Sequence, residues 1–181
     1  QNNSTIRINN GDITISGGVF NSSNSFSVLY EGNSKSTGVE INTSTLKDVT
    51  IEVTDNTQSV ALSNNLVING KLTVSSGSFD ITSRQLSLYG DIDMASGTTI
   101  ESNQSTDLVV QTTSNVTGGL RFLAGSSVHD LTINKGGTND IMLQSNLNIA
   151  GHLRLMKGNF SVENGATLTM NAASVIHIED G

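Results

Sequence analysis

The chain has no cysteine and no tryptophan. Without cysteine it can hold neither a disulfide nor a thiolate metal site, although that leaves secretion open. Without tryptophan, its aromatic sugar platforms reduce to Tyr30 and Tyr89. Charge is scarce as well: Asp, Glu, Lys and Arg make up 14% of the residues, and the formal net charge is −7. That sign repels phosphate backbones and anionic lipid, which argues against nucleic-acid or membrane-surface binding. No apolar run reaches membrane-spanning length, and helix-forming stretches are almost absent. No signal peptide is visible; Gln1 suits a residue left by signal cleavage as well as a simple boundary.

What is present is Ser, Thr, Asn and Gly interleaved with Val, Ile and Leu, a mixture that favours strands and turns. Apolar residues still reach 35% and recur regularly, so the polar richness reads as a strand surface rather than as disorder.

The strongest signal is repetition. Asn10-Gly11-Asp12-Ile13-Thr14-Ile15 with Gly18 and Phe20 returns as Asn69-Gly70-Lys71-Leu72-Thr73-Val74 with Gly77 and Phe79. It returns again as Ala150-Gly151-His152-Leu153-Arg154-Leu155 with Gly158 and Phe160. Self-similarity at a fixed period marks a stacked architecture in which each unit buries its apolar face against the next. Gly11 and Gly70 are 59 positions apart and Gly70 and Gly151 are 81 apart, a difference of 22. One β-solenoid coil is roughly 20 residues or slightly more, so the spacings are expected to differ by whole coils, with Thr98 to Gly118 as the extra one. The chain is therefore predicted to be all-β: one continuous single-stranded parallel β-helix over 1–181, with roughly nine coils of about 20 residues. Its modules are about 1–37 (partial), 38–118 (four coils) and 119–181 (three coils). Ile13, Ile15, Leu72, Val74, Leu153 and Leu155 should point inward, and Thr14, Thr73 and Arg154 outward. Phe20, Phe79 and Phe160 should stack in one interior column, with corner glycines supplying positive φ or close backbone approach. The rival fold is a β-sandwich, for which Asn10-Gly11, Asn69-Gly70 and Asn164-Gly165 are hairpin signals.

Chemistry is thin. Asp91 and Asp93 project from one side of a strand, as paired carboxylates of a polysaccharide-active β-helix would. Asp48 and Asp130 occupy equivalent repeat positions, which reads as a turn or ladder role rather than catalysis. His152 and His177 are expected outward and exposed, His129 is replaced by Lys47 in the preceding module, and no converging metal ligands are visible. No catalytic, cofactor-binding or metal residue is therefore assigned. Tyr30, Tyr89, Asp91 and Asp93 remain as weak ligand candidates. An ice-binding threonine rank begins with Thr14 and Thr73 but ends at Arg154. Asn-x-Ser/Thr sequons, as at Asn21, Asn42, Asn103, Asn115 and Asn159, are expected by chance at this composition.

The phrasing Asp130-Leu131-Thr132-Ile133-Asn134, then Leu143-Gln144-Ser145-Asn146-Leu147-Asn148-Ile149-Ala150-Gly151, then Leu153-Arg154-Leu155 and Gly158-Asn159-Phe160 resembles the repeats of very large surface proteins of Bacteroidetes-type bacteria. The resemblance covers most of the chain and is weakest over 21–37. It implies a secreted or outer-membrane-anchored adhesin or stalk, exported by the type IX route, with a parallel β-helical fold. The expectation is a non-enzymatic extracellular β-solenoid at the bacterial cell surface: a segment of an adhesin, a stalk or a self-assembling filament. Its expected partners are neighbouring repeats or identical subunits stacked end to end, with host or environmental glycans as ligands. The alternative is a β-helical polysaccharide-binding or polysaccharide-degrading protein.

Overall fold

In the computed structural model, which describes residues 4–18, 20, 26–42, 45–114, 116–137 and 140–179, every strand pairing is parallel. That removes the β-sandwich, whose hairpins would pair neighbouring strands antiparallel. The chain winds as a β-solenoid. Its longest face holds seven strands, Thr45–Leu46, Leu66–Ile68, Gln85–Leu88, Asp107–Thr112, Asp130–Lys135, His152–Lys157 and Val175–Ile178. A six-stranded face holds Thr5–Asn9, Ser27–Gly32, Val49–Val53, Leu72–Ser76, Ile92–Met94 and Val116–Thr117. The third side is a four-stranded face, Lys35–Ser36, Ser59–Ala61, Ser78–Asp80 and Thr99–Glu101. Within the coil at 116–137 the six- and four-stranded faces begin to give way to a two-stranded sheet, Ile141–Leu143 with Phe160–Val162, and a three-stranded one, Ser127–Val128, Leu147–Ile149 and Leu168–Met170. Among the described residues the long face is the sheet that continues through the change, while single parallel bridges, Ile100 with Phe122 and Leu120 with Leu143, carry pairing across it elsewhere.

Period-2 alternation builds the interior. Leu66, Leu86, Leu108, Leu131 and Leu153 pair in register up the long face and are all buried, so one leucine column forms a wall of the core. Val28, Val49, Leu72 and Ile92 do the same on the six-stranded face. Partners on the long face are 20 to 23 positions apart. The seven rungs of that face make about seven turns, where the sequence suggested roughly nine coils. At about 4.8 Å per rung the seven-stranded ladder is about 29 Å long.

The repeat and the coil are out of phase. Leu72 lies on the six-stranded face, yet its repeat counterpart Leu153 lies on the long face. Leu66–Ile68 lies on the long face, and its counterpart Leu147–Ile149 on the three-stranded sheet. An offset of 81 is thus four coils short by one side, and 59 is three coils short by one side. The difference between the two spacings is one coil, as the sequence indicates, but neither spacing is a whole number of coils.

The phenylalanine column fails for this reason. Phe79 is fully buried on the four-stranded face between Val60 and Ile100, whereas Phe160 pairs with Ile141 on another sheet. Phe20 packs against Phe26 at 5.6 Å between ring centroids. Ile13 is half-buried, and Ile15 is 37% exposed over a cleft of about 430 Å³ rather than inward. Thr14 lies outside the strands and does not continue the Thr50–Thr73 rank of the six-stranded face.

Candidate functional site

Apart from Gly11, whose Cβ position has only an ordinary contact, the glycines of the repeat have definable tasks. Gly18, Gly77 and Gly158 have φ of +120°, +80° and +83°, the left-handed region predicted for the second corner. Gly70 and Gly151 serve close approach instead. The N–H of Gly70 donates to the Lys47 carbonyl at 2.6 Å, and that of Gly151 to the His129 carbonyl at 2.7 Å. A Cβ on Gly70 would stand 2.6 Å from that carbonyl oxygen and collide with the Asp48 carboxylate. On Gly151 it would stand 2.5 Å from Asp130 Oδ1 and 2.9 Å from the His129 carbonyl.

The carboxylate lying over each glycine completes the corner. Asp48 Oδ1 accepts the Lys71 N–H at 2.7 Å, and Asp130 Oδ1 accepts the His152 N–H at 2.8 Å. These bonds run between successive coils, so Asp48 and Asp130 are ladder residues, as their repeat positions indicated. The two corners carry different side chains. Around Asp48 are Ser27, whose hydroxyl donates to Oδ2 at 2.8 Å, and Lys47 Nζ at 3.7 Å.

Around Asp130 the sequence reading found no converging ligands, and the structure corrects it. Asp130 Oδ1 lies 3.2 Å from His129 Nδ1 and 3.0 Å from His152 Nδ1, and Asp107 Oδ1 lies 3.5 Å from His129 Nδ1. Arg154 approaches Asp130 Oδ2 at 3.7 Å. Burial alone would raise the Asp130 carboxyl. The hydrogen bonds from the His152 N–H and ring, with the charges of His129 and His152, bring it below the usual carboxylate range. The His129, His152 and His177 rings climb the same edge, with centroids 6.5 Å and 5.3 Å apart. The signal was present as spacing: Asp107 to Asp130 is 23 positions and Asp130 to His152 is 22, one coil each.

The weak ligand candidates separate. Tyr30 is 1% exposed, and its hydroxyl donates inside the core to Glu40 Oε1 at 2.8 Å. Burial, then the neighbouring Glu40 carboxylate, push its phenol far above the usual range, and Tyr30 offers nothing to a ligand. Tyr89 is 41% exposed and opens a cleft of about 290 Å³ at the downstream edge of the long face. Gln111, Asn134 and Lys157 follow it on the next three rungs, with Gln111 opposite Asn134 and Asn134 opposite Lys157. Asp91 and Asp93 do not line this cleft. They flank buried Ile92 on the six-stranded face, and Asp93 is held by Lys71 Nζ at 2.7 Å. Of the sequons, Asn21 and Asn115 lie outside the described residues. Asn103 is spent on a turn, where its side-chain oxygen accepts the Ser105 N–H at 2.9 Å.

Fold and surface together define the class, a three-sided parallel β-solenoid. No protein-family model matches the chain, and no curated protein or solved structure matches it. No helix among the described residues is long and apolar enough to cross a membrane.

Proposed function

We propose that this chain is a non-enzymatic, extracellular structural solenoid, a segment of a bacterial surface adhesin, stalk or self-assembling filament. The observation that carries this reading is the unbroken seven-stranded parallel ladder of the long face. Its hydrogen bonds run along the solenoid axis, so tension on the rod is shared by parallel rows of backbone bonds above a continuous apolar core. The rung at Val175–Ile178 leaves Val175, Ile176 and Ile178 44%, 51% and 73% exposed, an apolar edge suited to pairing with a further coil. Electron microscopy across a concentration series tests this. Rods that lengthen with concentration and diffract near 4.8 Å along their axis are expected. Short rods of constant length would remove self-assembly and leave the stalk segment, and particles of any other shape would overturn both.

A second reading, binding to an extended polysaccharide, is favoured by the Tyr89 cleft. An exposed aromatic ring followed by two amides and an ammonium at rung spacing matches the face-and-edge chemistry of an acidic sugar chain. Binding to an acidic glycan that falls at least about tenfold in Tyr89→Ala would support it, a loss of the order expected when an anchoring aromatic is truncated.

A further inference from the structure

We propose that Asp107, His129 and Asp130 form a surface site for a divalent transition-metal ion, with His152 holding Asp130 in place, so that one ion clips consecutive coils together. The three side chains present Asp107 Oδ1, His129 Nδ1 and Asp130 Oδ1, with their ligand atoms all within 4.8 Å of one another. A zinc ion bound at about 2.0–2.1 Å in tetrahedral geometry separates its ligand atoms by about 3.4 Å. The His129–Asp107 and His129–Asp130 separations, 3.5 Å and 3.2 Å, bracket that edge length, and the two carboxylates present oxygens within 4.8 Å of each other, a span that side-chain rotation closes.

The donors come from neighbouring rungs of the most continuous face. Asp107 begins the strand Asp107–Thr112, and His129 and Asp130 lead into Asp130–Lys135, with Asp107 paired to Asp130 in the ladder. Strand register therefore fixes the spacing of the carboxylates before any ion arrives. His152, one rung further, donates its backbone N–H to Asp130 Oδ1 at 2.8 Å and sets its ring 3.0 Å from the same oxygen. That is the outer support by which a coordinating carboxylate is oriented. The side chain of His129 is 53% exposed, which leaves the remaining position open to water. One imidazole with two carboxylates suits zinc and its neighbours better than magnesium or calcium, which take oxygen ligands. At the equivalent corner Lys47 replaces His129 and Lys71 replaces His152, and two ammonium groups cannot coordinate a cation.

Calorimetric titration of the whole chain with zinc chloride, repeated with magnesium chloride, tests the assignment. The expected result is saturable uptake of one zinc ion per chain, no comparable magnesium uptake, and a higher midpoint of thermal unfolding that a chelator reverses. His129→Ala should weaken zinc binding at least about tenfold. Asp107→Asn, checked for native far-ultraviolet circular dichroism, should do the same, and His177→Ala should leave binding unchanged. Absence of saturable uptake, or unchanged affinity in His129→Ala, would overturn the site. So would a loss in His177→Ala equal to that in His129→Ala, because it would place the ion on the His152–His177 pair.

Discussion

The corner built by Asp48, Gly70 and Lys71 and the corner built by Asp130, Gly151 and His152 use the same backbone device with different side chains around it. In both, a carboxylate from one coil accepts the N–H that follows the next coil's glycine, and the glycine hydrogen-bonds back across the rung. The first corner surrounds that device with lysines and passes its charge on through Lys71 to Asp93. The second surrounds it with histidines and a second carboxylate, Asp107. A repeat thus conserves what the backbone needs, and its outward positions are free to acquire chemistry. The corners also sit at different edges, the first leading into the six-stranded face and the second into the long face.

The largest test of the shared device is the glycine. Gly70→Ala and Gly151→Ala should each destabilise the chain by about 1–3 kcal/mol, the usual cost of overpacking. Gly70→Ala should cost more, because its Cβ comes closer to the carbonyl oxygen across the rung, 2.6 Å against 2.9 Å at Gly151. Urea unfolding would show this, and a cost below half a kilocalorie at both sites would mean that the corners yield freely.

Removing the capping charge comes next. Asp48→Ala and Asp130→Ala each leave a backbone N–H without its acceptor, and about 1–2 kcal/mol should be lost at each. Acid acts on the second corner. The Asp130 carboxyl is lowered in the folded chain, so its contribution is present above the ordinary carboxylate value of about 3.9 and is lost as pH falls through the folded value. Asp130→Asn should therefore flatten the acid limb of the stability profile below about pH 4. An unchanged limb would show that the histidine surroundings do not favour the charged form.

In base, Tyr30 should behave in the opposite sense. Its raised phenol contributes stability that is complete below the ordinary tyrosine value of about 10 and is lost as pH rises beyond it. In Tyr89→Phe, which leaves Tyr30 as the sole tyrosine, phenolate absorbance should appear only together with unfolding. The smallest effect belongs to the Lys71–Asp93 pair, 43% and 39% exposed. A double-mutant cycle with Lys71→Met and Asp93→Asn should give a coupling of no more than about 0.5 kcal/mol, falling with salt.

Much of this was legible beforehand. Alternation at Leu72, Val74 and Leu153 announced buried strands, and the three second-corner glycines announced left-handed turns. Asp48 and Asp130 were recognisable as ladder residues because they recur. The histidine–aspartate cluster was missed because its members are separated by one coil rather than by a short motif, and the coil length was set too short to align them. Tyr30 and Tyr89 share a repeat position, yet one is buried against Glu40 and the other opens a cleft. Equivalence in sequence is not equivalence of environment when successive copies land on different sides.

The sequence by itself determined the strand class, the places of the corners and, outside the first copy of the repeat and the phenylalanines, the residues facing inward, since these follow from local sterics and from which side chains leave water. The tertiary structure alone decided the phase: how many residues close one coil, which side each repeat occupies, and which outward side chains meet. Coil length is fixed by the closure of three sides and the in-register pairing of each rung with the next, a global condition to which every residue of the turn contributes. Asp107, His129, Asp130 and His152 are neighbours for that reason, because a coil of 22 or 23 residues returns the chain to the same edge one rung higher.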